Sequence, residues 1–130
     1  MRTSDALELA IVFHAKWKYR LMDAISTGKS EWRVADVRTD GACQFGKWLL
    51  ALPLSGRLDE NCKKVRVLHT EFHALAAGVL ELALAGRKDE ATAAMALGSR
   101  FAVVSSNLTM AVTAWKEAAA NEQSSEGNQA

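Results

Sequence analysis

The chain has 130 residues, 49% of them apolar, and sixteen Lys and Arg against fifteen Asp and Glu leave a formal charge of +1. That size and apolar share fit one domain with a real core, and the near-zero charge argues against nucleic acid as a partner. Charges interrupt the apolar runs well short of the roughly 20 residues a membrane span needs, and no basic-then-apolar leader opens the chain, so neither membrane insertion nor secretion is expected.

The reading is therefore a cytoplasmic protein whose two cysteines, Cys43 and Cys62, are free or metal-bound thiols rather than a disulfide. A single proline, abundant Ala, Leu, Glu and Lys, and little two-residue alternation predict an all-α fold. The first helix is expected from about Ser4 to Ile25, with Leu7, Ile11, His14, Trp17 or Lys18, Leu21 and Ile25 at helical spacing and Gly28 as its stop. Residues 29–41 read as a connection with a short turn of helix around Trp32 to Val37. A short helix follows from about Ala42 to Leu52, with Asp40 as its capping acceptor and Pro53 closing it.

A long helix is predicted from Asp59 to Ala85, carrying Cys62, Val65, His69, Phe72 or His73, Ala76, Val79 or Leu80 and Ala83 on one stripe. The last helix is predicted from Asp89 to Ala119, its inner face marked by Leu97, Phe101, Val104, Leu108, Ala111 or Val112, and Trp115. Three long amphipathic helices and a shorter one predict an antiparallel four-helix bundle over residues 1–120, with the Cys43 segment as a short additional helix or turn. Residues 121–130, polar and poor in bulky apolar side chains, are expected to form a disordered tail or linker.

The chemistry rests on the three histidines of the chain, all on predicted inner faces. His69 and His73 lie four apart on one helical face and so reach a common ion. Zinc takes neutral imidazole nitrogen and thiolate sulfur at roughly 2.0–2.3 Å in a tetrahedron, so such a pair needs two further ligands. His14 and Cys43 are the candidates, Cys43 at a helix start whose dipole favours a thiolate. A lone histidine on an apolar stripe is more often a hydrogen-bonded core residue. Three of them buried together without a compensating partner would be costly, and a metal removes that cost. Cys62 reads as a small buried hydrophobe.

Three stretches, His14-Ala-Lys-Trp17, Cys43-Gln-Phe-Gly46-Lys-Trp48 and His69-Thr-Glu-Phe-His73, resemble in order the H-x-x-W, C-x-F-G-x-W and H-x-x-x-H elements of the chemoreceptor zinc-binding domain family. The resemblance implies His14, Cys43, His69 and His73 as zinc ligands, with Trp17, Phe45, Gly46 and Trp48 packed around them. It also implies a small helical bundle, often dimeric, of the kind found in bacterial cytoplasmic chemoreceptors and some diguanylate cyclases. There zinc regulates chemotaxis or cyclic-di-GMP synthesis. Gly46 inside a helix suggests that a neighbouring element passes too close for a side chain, a simple turn being the other explanation.

Four protein ligands close a zinc tetrahedron, whereas a catalytic zinc keeps an open position, so no enzymatic activity is expected of this chain. Glu71 lies two residues from either histidine and points away from their face. The expected function is a zinc-responsive regulatory domain acting through bundle or homodimer packing, alone or linked to an output domain. The alternatives are an oxidant sensor working through a zinc-bound Cys43 thiolate, and a purely structural zinc dimerisation module.

Overall fold

The structure is a computed structural model that describes residues 2–128, with side chains up to Asn121. Its elements are α1 (Thr3–Thr27), α2 (Val34–Arg38), a single 3-10 turn (Asp40–Ala42), α3 (Gln44–Leu50), α4 (Leu54–Arg57), α5 (Glu60–Leu84), α6 (Lys88–Met95) and α7 (Arg100–Asn128). Helix is the only regular structure among the described residues, as the composition predicts.

The long helices form where the apolar period is strongest. α1 buries Ala6, Leu7, Ala10, Trp17, Leu21 and Ala24 along one face. It stops at Gly28, whose φ of 75° suits a residue without a side chain and whose N–H returns to the Ala24 carbonyl at 2.8 Å. α5 begins where the Asp59 carboxylate accepts the Asn61 N–H at 2.8 Å. Its stripe from Cys62 to Ala83 is the most buried in the molecule, Cys62, Val65, Ala76, Ala77 and Ala83 having no exposure. Among the described residues α5 is also the one helix long and apolar enough to cross a membrane.

The expected regular antiparallel bundle is corrected in two respects. α1 and α5 run parallel: His14 in mid-α1 faces His69 and His73 in mid-α5, and Lys88, just beyond α5, donates to the Ser26 carbonyl near the end of α1 at 3.1 Å. Residues 28–59 make this possible, since they are long enough to carry the chain back along the bundle through α2, α3 and α4. α7 runs antiparallel to both, pairing Lys116 with Glu8 of α1 at 3.8 Å and Arg100 with Glu71 of α5.

The second correction concerns the single helix expected over 89–119, which is two. Ala96 is extended, Gly98 has φ +86°, and the Ser99 hydroxyl caps the new helix by accepting the Ala102 N–H at 3.2 Å. Leu97, expected on the inner face, sits at this corner and is fully exposed, while Phe101, Val104, Leu108, Ala111, Val112 and Trp115 are buried as expected. The backbone of α7 continues helical through 121–128, within the stretch expected to be a disordered tail or linker. Residues 129 and 130 of that expected tail or linker lie outside the described residues.

Gly46 is needed for close approach. A Cβ there would overlap the Asp40 carbonyl oxygen and lie 2.8 Å from its carbon and 3.1 Å from the Gly41 Cα. The 3-10 turn is thereby pressed onto the first turn of α3, the arrangement that sets Cys43 in place. Gly46→Ala is expected to lower stability by about 1–3 kcal/mol through this overlap. Gly78→Ala in mid-α5, where an added Cβ meets nothing within 4 Å, should instead raise it by roughly 0.5–1 kcal/mol. Urea unfolding of the two variants checks the pair, and a neutral or stabilising Gly46→Ala would contradict the packing described.

Candidate metal centre

Four side chains meet at the centre of the molecule. One nitrogen from each of His14, His69 and His73 and the sulfur of Cys43 lie within 4.8 Å of one another. α1 supplies His14, α5 supplies His69 and His73 from successive turns, and the residue before α3 supplies Cys43. The ring centroids of His69 and His73 are 4.5 Å apart, and that of His14 is 4.9 Å from His69 and 5.6 Å from His73. The Cys43 sulfur is 3.3 Å from Nε2 of His69. All four ligand positions expected from the sequence are thus brought together, while Cys62 is fully buried in the apolar core. Glu71 pairs outward with Arg100, as its position on the helix implied.

The orientation of two rings follows from what holds their outer nitrogens. Nδ1 of His14 lies 2.7 Å from the Ala10 carbonyl, and Nδ1 of His73 lies 2.8 Å from the Val37 carbonyl. A carbonyl only accepts, so each Nδ1 carries the proton and each Nε2 turns a lone pair inward. That of His73 is fully buried and has no hydrogen-bond partner. An orphaned buried nitrogen is rare in a folded protein, and a cation in the cluster is the partner that would satisfy it. Three neutral imidazoles and one thiol are a donor set suited to zinc, so the residues present fit the ion.

Apolar rings enclose the cluster. Phe45 sets its edge against His14 and His69 at centroid distances of 5.8 and 5.2 Å, and Phe72 stands 5.2 Å from His14. Trp48 stacks on Phe45 at 5.7 Å and touches Trp115. Trp17 packs against Trp32, with the Arg20 guanidinium over both rings. Phe72 was expected only as a stripe residue alternative to His73. Its position next to one histidine and three after the other was the available signal, and the stripe is wide enough to bury both.

Cys43 caps α3 in place of the expected Asp40, its sulfur accepting the Gly46 N–H at 3.3 Å. The helix start was expected to favour a thiolate. Burial outweighs it: desolvation raises the thiol above its ordinary range, opposed by the N–H groups of Gly46 and Phe45 and reinforced by the Asp40 charge. In the metal-free protein the sulfur is therefore protonated at neutral pH, and metal binding releases that proton.

The imidazoles are held neutral. Burial, with a smaller contribution from the neighbouring His73, lowers His14 to about 4, against the pull of the Ala10 carbonyl. Burial and both other histidines lower His69 to about 2. Burial also lowers His73, opposed by the Val37 carbonyl and the Asp40 charge. Because an unfolded histidine titrates near 6.5, the unfolded chain binds more protons than the folded one below that pH. The metal-free protein is therefore expected to lose at least about 1 kcal/mol of stability between pH 7 and pH 5, with a continuing fall toward pH 4. Urea titrations of chelator-treated protein across that range check this, and pH-independent stability would contradict burial of the neutral rings.

Comparison with known proteins agrees with this geometry. No characterised protein and no solved structure matches the chain. Residues 14–80, just over half of it and running from His14 through His73 to Leu80, match the family described as the chemoreceptor zinc-binding domain. The chain belongs to the chemoreceptor zinc-binding domain family.

Proposed function

We propose that this chain is a zinc-responsive regulatory domain that binds one zinc ion through Nε2 of His14, His69 and His73 and the sulfur of Cys43. The observation that carries the reading is the convergence of these four atoms within 4.8 Å around a buried, unpartnered His73 Nε2. The family assignment supports zinc as the ion. With all four positions taken by protein, the ion would have a structural or regulatory role rather than a catalytic one.

The ligands come from three separate elements: α1, the turn before α3, and α5. Zinc would tie the parallel pair α1 and α5 to the α2–α3 connection. Structural zinc sites release on the order of 10 kcal/mol, so coupling a small part of it to rearrangement of that connection or of a homodimer is enough to switch an output. The output is proposed to be bacterial signalling, either chemotaxis or cyclic-di-GMP synthesis. It would be exerted in the cytoplasm through a linked or separate domain, without nucleic acid binding or membrane insertion.

A second reading is favoured by the partial exposure of Cys43. Cys43 is only partly buried and lines a cleft of about 250 Å³ with Trp17, Trp32 and Phe45, whereas Cys62 is sealed in the core. A peroxide reaching that cleft would transfer a hydroxyl to the Cys43 thiolate, giving the sulfenic acid and releasing hydroxide. The ligand so altered would weaken the hold on zinc.

Purified protein is expected to carry about one zinc per chain, and Cys43→Ala or His73→Ala to remove most of it. Metal analysis of the three proteins decides the matter, and full occupancy in both variants would refute the assignment. Mild peroxide should modify Cys43 well before Cys62, and equal reactivity of the two by mass spectrometry would eliminate the oxidant reading.

A further inference from the structure

Two of the three imidazoles have their outer nitrogen fixed by a main-chain carbonyl, and the third does not. Nδ1 of His69 instead faces Oδ2 of Asp40 at 3.9 Å, beyond hydrogen-bond length but well within electrostatic reach. Asp40 is not free to wander from this place. The same Oδ2 accepts the hydroxyl of Thr70, the residue following His69, at 2.5 Å. The Asp40 carbonyl is pinned against Gly46, where no Cβ fits, and accepts the Cys43 N–H at 3.4 Å. One residue therefore touches both the turn that carries Cys43 and the helix that carries His69. Its side chain is 38% exposed at the edge of a cleft of about 250 Å³, while His69 is 1% exposed. A carboxylate there lies close enough to project its charge onto the buried ring.

We propose that Asp40 is the positioning residue of His69, its carboxylate holding the proton on Nδ1 so that Nε2 faces the cluster as a lone pair. The inference rests on the zinc reading for its consequence but not for its geometry. A zinc ion with one thiolate and three neutral imidazoles has a net charge of +1. Asp40 supplies the opposite charge across the one ring that lacks a carbonyl acceptor. It would favour the loaded centre over the empty one. Thr70 acts through Asp40 by fixing the direction of its carboxylate.

The test uses the full chain with Asp40→Ala, Asp40→Asn and Thr70→Val, and two readings. In competition with a chromophoric chelator, Asp40→Ala should bind zinc roughly 10–100-fold more weakly while still saturating at one ion per chain. Asp40→Asn, which keeps an acceptor but not the charge, should recover part of that loss, and Thr70→Val should lose a few-fold. In the metal-free protein, long-range ¹H–¹⁵N spectra should show His69 protonated at Nδ1, with that tautomer reduced in Asp40→Ala. A zinc affinity for Asp40→Ala within about threefold of the parent, or an unchanged His69 tautomer, would overturn the proposal. Should Asp40→Ala lose its helicity, Asp40→Asn decides by the same two readings. If the parent binds no zinc, the zinc assignment falls while the tautomer reading still decides the role of Asp40.

Discussion

Everything in this fold is arranged around the cost of burying three imidazoles side by side. Neutral rings are the only tolerable form there, because protonating any of them would place a charge in the core beside two like neighbours. The protein meets the constraint in stages. Carbonyls of Ala10 and Val37 take the outer protons of His14 and His73, Asp40 faces the outer nitrogen of His69, and aromatic edges close the remaining sides. The inner lone pairs are left pointing at one another, which is unfavourable until something positive stands between them. Metal binding and completion of the core are in that sense the same event.

The unusual path of the chain serves the same end. A ligand pair on α5 and a third imidazole on α1 require those two helices to be neighbours. Their parallel course is possible because residues 28–59 return along the bundle. That return is not idle connection. α2 delivers the Val37 carbonyl to His73, the 3-10 turn delivers Asp40 to His69 and Thr70, and α3 starts at Cys43. Gly46 lets the turn and α3 lie against each other closely enough for these deliveries to coincide. The apolar core that joins α1, α5 and α7 also takes in Val37 of α2 and Phe45 and Leu49 of α3.

How much of this was legible in the sequence depended on the strength of the local signal. The faces of α1 and α5 could be read because large apolar residues recur there at 3.6-residue spacing, and the His69–His73 pair comes directly from that period. The ordered motif around His14, Cys43 and His69 then pointed to one centre. The split between α6 and α7 was missed because Ala91, Ala93, Ala94 and Ala96 before it and Phe101, Val104 and Leu108 after it continue the helical pattern. Gly98 followed by Ser99 was the mark of the break. The direction of α5 relative to α1 lies in the path of residues 28–59, whose short elements leave almost no periodic trace. Asp40 was expected to cap a helix, a local role, whereas its side chain is engaged by Thr70 thirty residues away. Only the tertiary structure brings these two together.

X-ray absorption at the zinc edge on the purified full chain decides whether three imidazoles and one thiolate hold a single zinc ion. The expected result is a four-coordinate shell of three nitrogen neighbours at about 2.0–2.1 Å and one sulfur at about 2.3 Å. A shell with no sulfur, or one completed by water oxygen in place of an imidazole, would contradict it.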